Sequence, residues 1–261
     1  VPLGLSNVVA LAAGSSHCLA FRDDGTVVSW GSRTNVPVGL SNVIAVAAGG
    51  LSMALKADGK VAMWASDGSY VSNSISTLSN VVAISASSSG YLALKADGTL
   101  GTSGGTPPPA GLTNIVAIAS GPSHSLALRS NGTVVAWGSF PTTGSVIVPA
   151  GLSNVVNIAG GASHDLVLKA DGVMTTWGRF VSPSPGSFIS AYVPVDLGSN
   201  VCAVACGTEL SLALRPLSPE DFIPYAHIQA AGPITTNAAT LNGMAVANGL
   251  ARIGQDLEHA G

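Results

Sequence analysis

The sequence predicts an all-β fold, a propeller of small sheets set around a shared axis. Three observations carry that prediction. One unit recurs six times along the 261 residues, each unit contains short β-type runs joined by a tight-turn signal, and the first run of each unit is built from small side chains.

The copies begin at the pairs Val8-Val9, Val43-Ile44, Val81-Val82, Ile115-Val116, Val155-Val156 and Val201-Cys202, spaced 35, 38, 34, 40 and 46 residues apart. Each opens with a small polar turn: "GLSN" at Gly4, Gly39 and Gly151, "TLSN" at Thr77, "GLTN" at Gly111 and "LGSN" at Leu197. Three runs follow, as in "VVALAAG", "SLALR" and "TVVAWG". They are short, rich in Val, Ile and Leu, and bounded by Gly, Ser, Asn and Asp, which reads as three strands.

The second and third runs are joined by Asp24-Gly25, Asp58-Gly59, Asp97-Gly98, Asn131-Gly132 and Asp171-Gly172. Asp-Gly and Asn-Gly suit a two-residue type I′ hairpin, with positive φ at both central residues. In "TVVAWG", Val134 and Ala136 point one way and Val135 and Trp137 the other, so both sheet faces are apolar and need cover. The "ALAAG" ending at Gly14 and the "AVAAG" ending at Gly49 fit a place where sheets converge and space runs out. A linear β-solenoid is the rival, but its repeats are usually shorter and lack the hairpin signal.

Units of the form "GLSNVVAIA.G..HSLALK.DGTVVAWG" resemble the RCC1 (regulator of chromosome condensation) repeat. The compact spacing is similar to the bacterial branch, which includes the seven-bladed β-lactamase inhibitory protein II. The resemblance covers residues 1 to about 215 and implies an RCC1-like β-propeller of six or seven blades, closed or incompletely closed.

Departures from the pattern matter. Trp30, Trp64, Trp137 and Trp177 occupy one repeat position, where the third copy has Ser103. The sixth copy stops after "SLALR", with no turn and no third strand, and continues as "PLSPEDF" from Pro216. Val1 begins just after the place of a "TVVAWG" strand, so the missing strand is expected upstream in a longer parent chain. The division expected is 1–221 for the propeller repeats and 222–261 for a C-terminal tail. The tail's "PITTNAATLNGMAVANGLARIG" resembles the truncated start of a fibronectin-III-like sandwich, which would need roughly 100 residues.

Composition excludes several classes. Hydrophobic residues make up 47% and charged residues 9%, too apolar for disorder. No apolar run of membrane-spanning length is uninterrupted. Ten basic and thirteen acidic residues lie scattered, without the basic footprint of nucleic-acid binding. Cys18, Cys202 and Cys206 are too few for a disulfide framework. Cys202 and Cys206, four apart, are expected on one strand face as small core residues.

A histidine recurs at His17, His124 and His164, replaced by Leu51, Gly90 and Leu210 elsewhere. Equivalent positions on different blades do not converge, so neither a catalytic group nor a metal site is expected. Each is expected to bond a nearby backbone group. His164 and Asp165, as strand neighbours, face opposite sides and make no dyad.

What varies is the connector after "WG", with lengths 7, 11, 6, 12 and 18. Five of the chain's nine Phe and Tyr residues lie there: Tyr70, Phe140, Phe180, Phe188 and Tyr192. With Arg179, they are the candidate partner-binding residues, the 18-residue connector foremost. The expected function is a non-enzymatic, monomeric scaffold without cofactor, binding a protein or other macromolecular partner, within a secreted or cell-surface bacterial protein. The resemblance adds a second reading, inhibition of a β-lactamase or related cell-wall enzyme. A third and less favoured one is guanine-nucleotide exchange, since no basic region or exchange wedge is found.

Overall fold

A computed structural model describes residues 1–32, 35–65, 71–72, 78–140, 144–181, 188–190, 201–207, 210–214 and 229–230. Among the described residues, six antiparallel sheets follow one another as blades. Blade 1 holds β1 (Val8–Ala13), β2 (His17–Arg22) and β3 (Val27–Gly31), and blade 2 holds β4 (Val43–Ala48), β5 (Leu51–Lys56), β6 (Val61–Ala65) and β7 (Val71–Ser72). Blade 3 is β8 (Val81–Ala86), β9 (Tyr91–Lys95) and β10 (Leu100–Ser103), and blade 4 is β11 (Ile115–Ser120), β12 (His124–Arg129), β13 (Val134–Phe140) and β14 (Gly144–Ser145). Blade 5 is β15 (Val155–Gly160), β16 (His164–Lys169), β17 (Met174–Val181) and β18 (Phe188–Ser190), and blade 6 is β19 (Ala203–Cys206), β20 (Leu210–Leu214) and β21 (Gln229–Ala230). The first strands of successive blades pack on one another in chain order, as an RCC1-like propeller requires.

The core lies between blades rather than within them. Leu19 and Phe21 of blade 1 pack with Val46 and Trp64 of blade 2. Met53 and Val61 of blade 2 pack with Ile84 of blade 3. In blade 4, Val135 and Trp137 join the cluster shared with blade 3, while Val134 and Ala136 join the one shared with blade 5. The two-sided apolar strands are therefore covered on both faces, as the alternation predicts. Each fully buried Leu or Val contributes about 1.5–3 kcal/mol, and none of it is available to an isolated blade.

The hairpins differ from the type I′ expectation. Only the glycines have positive φ, Gly25 at 75° and Gly132 at 77° among them, and no turn Asp or Asn does. The loop has three residues: Gly25 N–H donates to Arg22 O at 3.0 Å, and Arg22 N–H to Thr26 O at 2.9 Å. The acidic or amide residue is selected for a side-chain bond. Asp24 Oδ1 accepts from Thr26 N–H and Oγ1–H at 2.8 and 2.6 Å, and Asn131 Oδ1 does the same for Thr133 at 3.1 and 2.7 Å.

The opening turns do need the left-handed region. Asn7, Asn42, Asn80, Asn114 and Asn154 have φ of 55–59°, a region that Asn tolerates better than most side chains. Each Asn carbonyl accepts the N–H of the residue that opens its own blade's hairpin loop, as Asn42 O does from Ala57 at 2.9 Å. The next residue then ties blades together: Val43 N–H donates to Gly25 O of blade 1 at 3.2 Å, and Val155 N–H to Gly132 O of blade 4 at 3.1 Å.

A β-bulge after the first residue of the opening strand sets β1 against β2, and likewise in blades 2 to 5. The extra residue is Val9, Ile44, Val82, Val116 or Val156, and every one of them is exposed. This overturns the reading of Cys202 and Cys206 as a same-face pair. Cys202, at the position of Val9, is exposed, whereas Cys206 is buried.

Two further expectations are revised. The connectors of blades 2, 4 and 5 are not wholly loops, because β7, β14 and β18 form fourth strands from them. Blade 6 does have a third strand, supplied from beyond residue 221: Leu210 pairs with Ala230 and Ser211 with Gln229. The rest of 222–261, and with it the fibronectin-like reading, lies outside the described residues.

Candidate partner-binding surface and the histidine positions

The three histidines mark the seams between blades. His17 Nε2 is hydrogen-bonded to Ser52 Oγ at 2.7 Å, His124 Nε2 to Asp165 Oδ1 at 2.7 Å, and His164 Nε2 to Ser211 Oγ at 2.9 Å. In each case the partner occupies the position just after the histidine position of the next blade. These are side-chain latches between blades, not the backbone bonds expected from the sequence. The signal was present in the residue after each histidine position, which reads Ser52, Asp165 and Ser211 where a partner is needed.

The latches are buried, with His17 3% and His164 0% exposed. Burial holds the His17 imidazole below its ordinary value and so favours the neutral ring. Asp165 and His124 have no exposed side-chain surface, and burial raises the Asp165 carboxyl against the lowering effect of the His124 bond. Burial, and after it the Asp165 charge, push the Cys206 thiol up. Each of the three rings therefore bonds across its own seam. Among the described residues no group of three His, Cys, Asp or Glu side chains is placed to hold a metal. No helix among them is long and apolar enough to cross a membrane.

The candidate binding residues divide. Phe140 is 4% exposed, and its ring meets His124 edge-on with centroids 4.7 Å apart. It packs in the core between blades 4 and 5 and is not a surface anchor as it stands. Arg179 is exposed, at the far end of β17. There the chain turns back on itself: Arg179 pairs with Ser190, Phe180 with Ile189 and Val181 with Phe188. Arg179, Phe180 and Phe188 are thus brought onto one hairpin. Tyr70 and Tyr192 lie outside the described residues.

The tryptophans belong to the packing. Trp64, Trp137 and Trp177 are buried, and Trp137 Nε1–H donates to Thr106 O at 3.0 Å.

Two segments, 8–35 and 115–140, match the model of the regulator of chromosome condensation (RCC1) repeat. Among solved structures, the chain is similar to Prp20p of Saccharomyces cerevisiae, at 19% identity and a TM-score of 0.61 over 82% of this chain and 71% of that one. Human WBSCR16 matches at 21% identity and 0.61, over 83% and 75% of the two chains. The ectodomain of the Physcomitrella patens receptor kinase CR4 matches at 21% and 0.64, over 87% of this chain and 63% of its own. Likeness at this level of identity shows the fold alone. No curated protein matches the sequence.

Proposed function

We propose that this chain is a non-enzymatic propeller scaffold that binds a protein partner through its variable connectors, as part of a larger secreted or cell-surface protein. One observation carries the reading. Strand register repeats from blade to blade, while the connectors between blades range from 6 to 18 residues. Packing fixes the strands and leaves the connectors free to differ, which is how a rigid frame presents a recognition surface.

The hairpin of blade 5 is the foremost element, since its paired strands carry Arg179, Phe180 and Phe188 within one short hairpin. Aromatic and arginine side chains dominate the energetics of most protein interfaces. Prp20p, which shares the fold, binds the proteins Gsp1p and histones, and yeast RCC1 (Prp20) has been crystallised with Kap60. These partners lend support by analogy to protein binding in general and point to no particular partner here.

The test is affinity capture with the full chain and with a variant carrying alanine at Arg179, Phe180, Phe188 and Tyr192. The expected result is a protein retained by the first and lost from the second. Capture of nothing, or equal capture by both, overturns the reading.

A further inference from the structure

Among the described residues, every seam between consecutive blades is built in one way. The earlier blade presents two apolar residues of its second strand, as Leu19 and Phe21 do, and the later blade presents apolar residues of its first strand, as Val43 and Val46 do. The other four seams repeat this, from Met53 and Leu55 against Val81 and Ile84 to Leu166 and Leu168 against Val201 and Val204. Two faces are left over. No earlier blade covers blade 1, and no later blade covers blade 6.

Exposure marks both faces. Leu11 is 39% exposed, whereas Val46, Ile84, Ile118, Ile158 and Val204, at its position in the other blades, are at most 7% exposed. Val8 and Trp30 are half-buried; their equivalents in blade 2, Val43 and Trp64, lie with Val46 in the cluster shared with blade 1. At the other end, Leu214 is 51% exposed, against 8% or less for Phe21, Leu55, Leu94, Leu128 and Leu168. The two faces do not seal each other, since no described strand of blade 6 packs on blade 1 as consecutive blades do. A missing strand does not explain this, because Gln229 and Ala230 already pair with the second strand of blade 6. The cover that is lacking is a whole blade.

Continuity with the five seams identifies that cover. Blade 1 leaves open the residues that elsewhere receive a Leu-x-Leu type of second strand, and blade 6 leaves open those that receive a first strand. A single repeat unit offers both sides at once. A second copy of this chain can offer blade 1 a matching strand only from its own blade 6. That would bring five further blades into a ring that holds about 4–8.

We infer that the open faces of blades 1 and 6 are the two walls of one docking site, and that its occupant is a seventh repeat unit carried by the parent protein. This rests on the chain being part of a larger protein, and not on what the connectors bind. The test extends the full chain with a copy of residues 111–147 fused directly ahead of Val1. Val1-Pro2 then follows the copy as Val148-Pro149 follows residue 147 in its own place. Cys18 is partly exposed on blade 1, and its alkylation rate, read by mass spectrometry beside that of Cys202, reports the cover. Extension is expected to slow Cys18 about tenfold or more, as burial makes a thiol inert, and to leave Cys202 unchanged. Leu11→Asp should restore the Cys18 rate in the extended chain. In the unextended chain it should shift the urea midpoint far less than Val46→Asp does. Equal Cys18 rates with and without the extension overturn the inference. So does slow alkylation of the unextended chain: slowing that grows with protein concentration assigns the face to a second copy, and slowing that does not assigns it to blade 6 of the same chain. Should the first extension not fold, one with residues 4–35, its own cysteine replaced by serine, decides the matter. Either result leaves the capture experiment on the connectors standing.

Discussion

Asp165 Oδ1 lies 2.7 Å from Nε2 of His124, a residue 41 positions away and one blade back, rather than on the histidine beside it in sequence. The strand directs His164 and Asp165 to opposite faces, so each meets a different neighbouring blade. His164 reaches forward to Ser211, and Asp165 receives His124 from behind. The dipeptide is thus a connector that holds three blades in order.

The carboxylate makes this latch more sensitive than its relatives. Removing one member of a buried hydrogen-bonded pair leaves the other without a partner, at about 1–3 kcal/mol and more where a charge is left behind. Asp165→Ala is expected to lower the unfolding free energy by about 3 kcal/mol. Asp165→Ser, which installs the neutral hydroxyl used at the seams of Ser52 and Ser211, is expected to lose clearly less. Urea denaturation of the two variants checks this, and equal losses would show that the latch chemistry is immaterial.

Acidity should loosen the blade 1–2 seam through His17. Burial lowers its pKa below the ordinary 6.5, so the folded state resists protonation that the unfolded state accepts. The depressed group contributes its full stability above pH 6.5, and that contribution is lost as pH falls through the folded value. The urea midpoint should therefore drop between neutral pH and the region just below 6.5. His17→Gln, which keeps a hydrogen-bonding side chain without the titration, should drop less over the same interval. A variant with the wild-type slope would remove His17 from the account.

Much of this architecture can be read from the chain. Val134 to Trp137 alternate between two cores because a strand alternates its faces, and the six copies announce blades because no copy can cover both faces alone. The latches were less legible. Spacing identifies His124 and Asp165 as members of repeats, but which blade's side chain meets which depends on the stacking of sheets, a long-range relation that local pattern does not hold. The exposure of Cys202 was hidden because the equivalent residues of blades 1 to 5 are the extra residues of a bulge, and one unpaired residue reverses the parity on which the same-face argument rests. Phe140 was misjudged for a similar reason. It follows "WG" in sequence, yet β13 continues through it and turns its ring inward against His124.

The hairpin glycines and their Asp or Asn neighbours do separate jobs, and substitution should separate them. Asn131→Ala removes both bonds to Thr133 and is expected to cost about 1 kcal/mol. Asn131→Asp should be close to neutral, because Asp24 and Asp97 make the same pair of bonds in their own turns. Gly132→Ala should cost more than Asn131→Ala. Its φ of 77° disfavours a side chain, and the new Cβ would stand 3.1 Å from Asn154 Cα of the next blade. Thermal or urea unfolding of the three variants gives the order, and a large loss for Asn131→Asp would contradict it.

Gly14 offers the sharpest test of how closely blades are set. Its φ is not in the left-handed region, so alanine is conformationally acceptable and any penalty comes from space alone. The added Cβ would lie 2.7 Å from His17 Cε1 and 2.8 Å from the Gly49 carbonyl of blade 2. One obstacle is a side chain locked by its bond to Ser52, and the other is backbone. Overpacking of this kind costs about 1–3 kcal/mol. Gly39→Ala meets nothing within 4 Å but sits at φ 77°, so its loss is purely conformational, about 1–2 kcal/mol. A double-mutant cycle distinguishes the two causes. In a His17→Ala background the penalty of Gly14→Ala should shrink, because one of its two obstacles has gone, while that of Gly39→Ala should stay the same. If His17→Ala leaves the Gly14 penalty untouched, the imidazole is not packed on that glycine, and the seam is held by backbone contact alone.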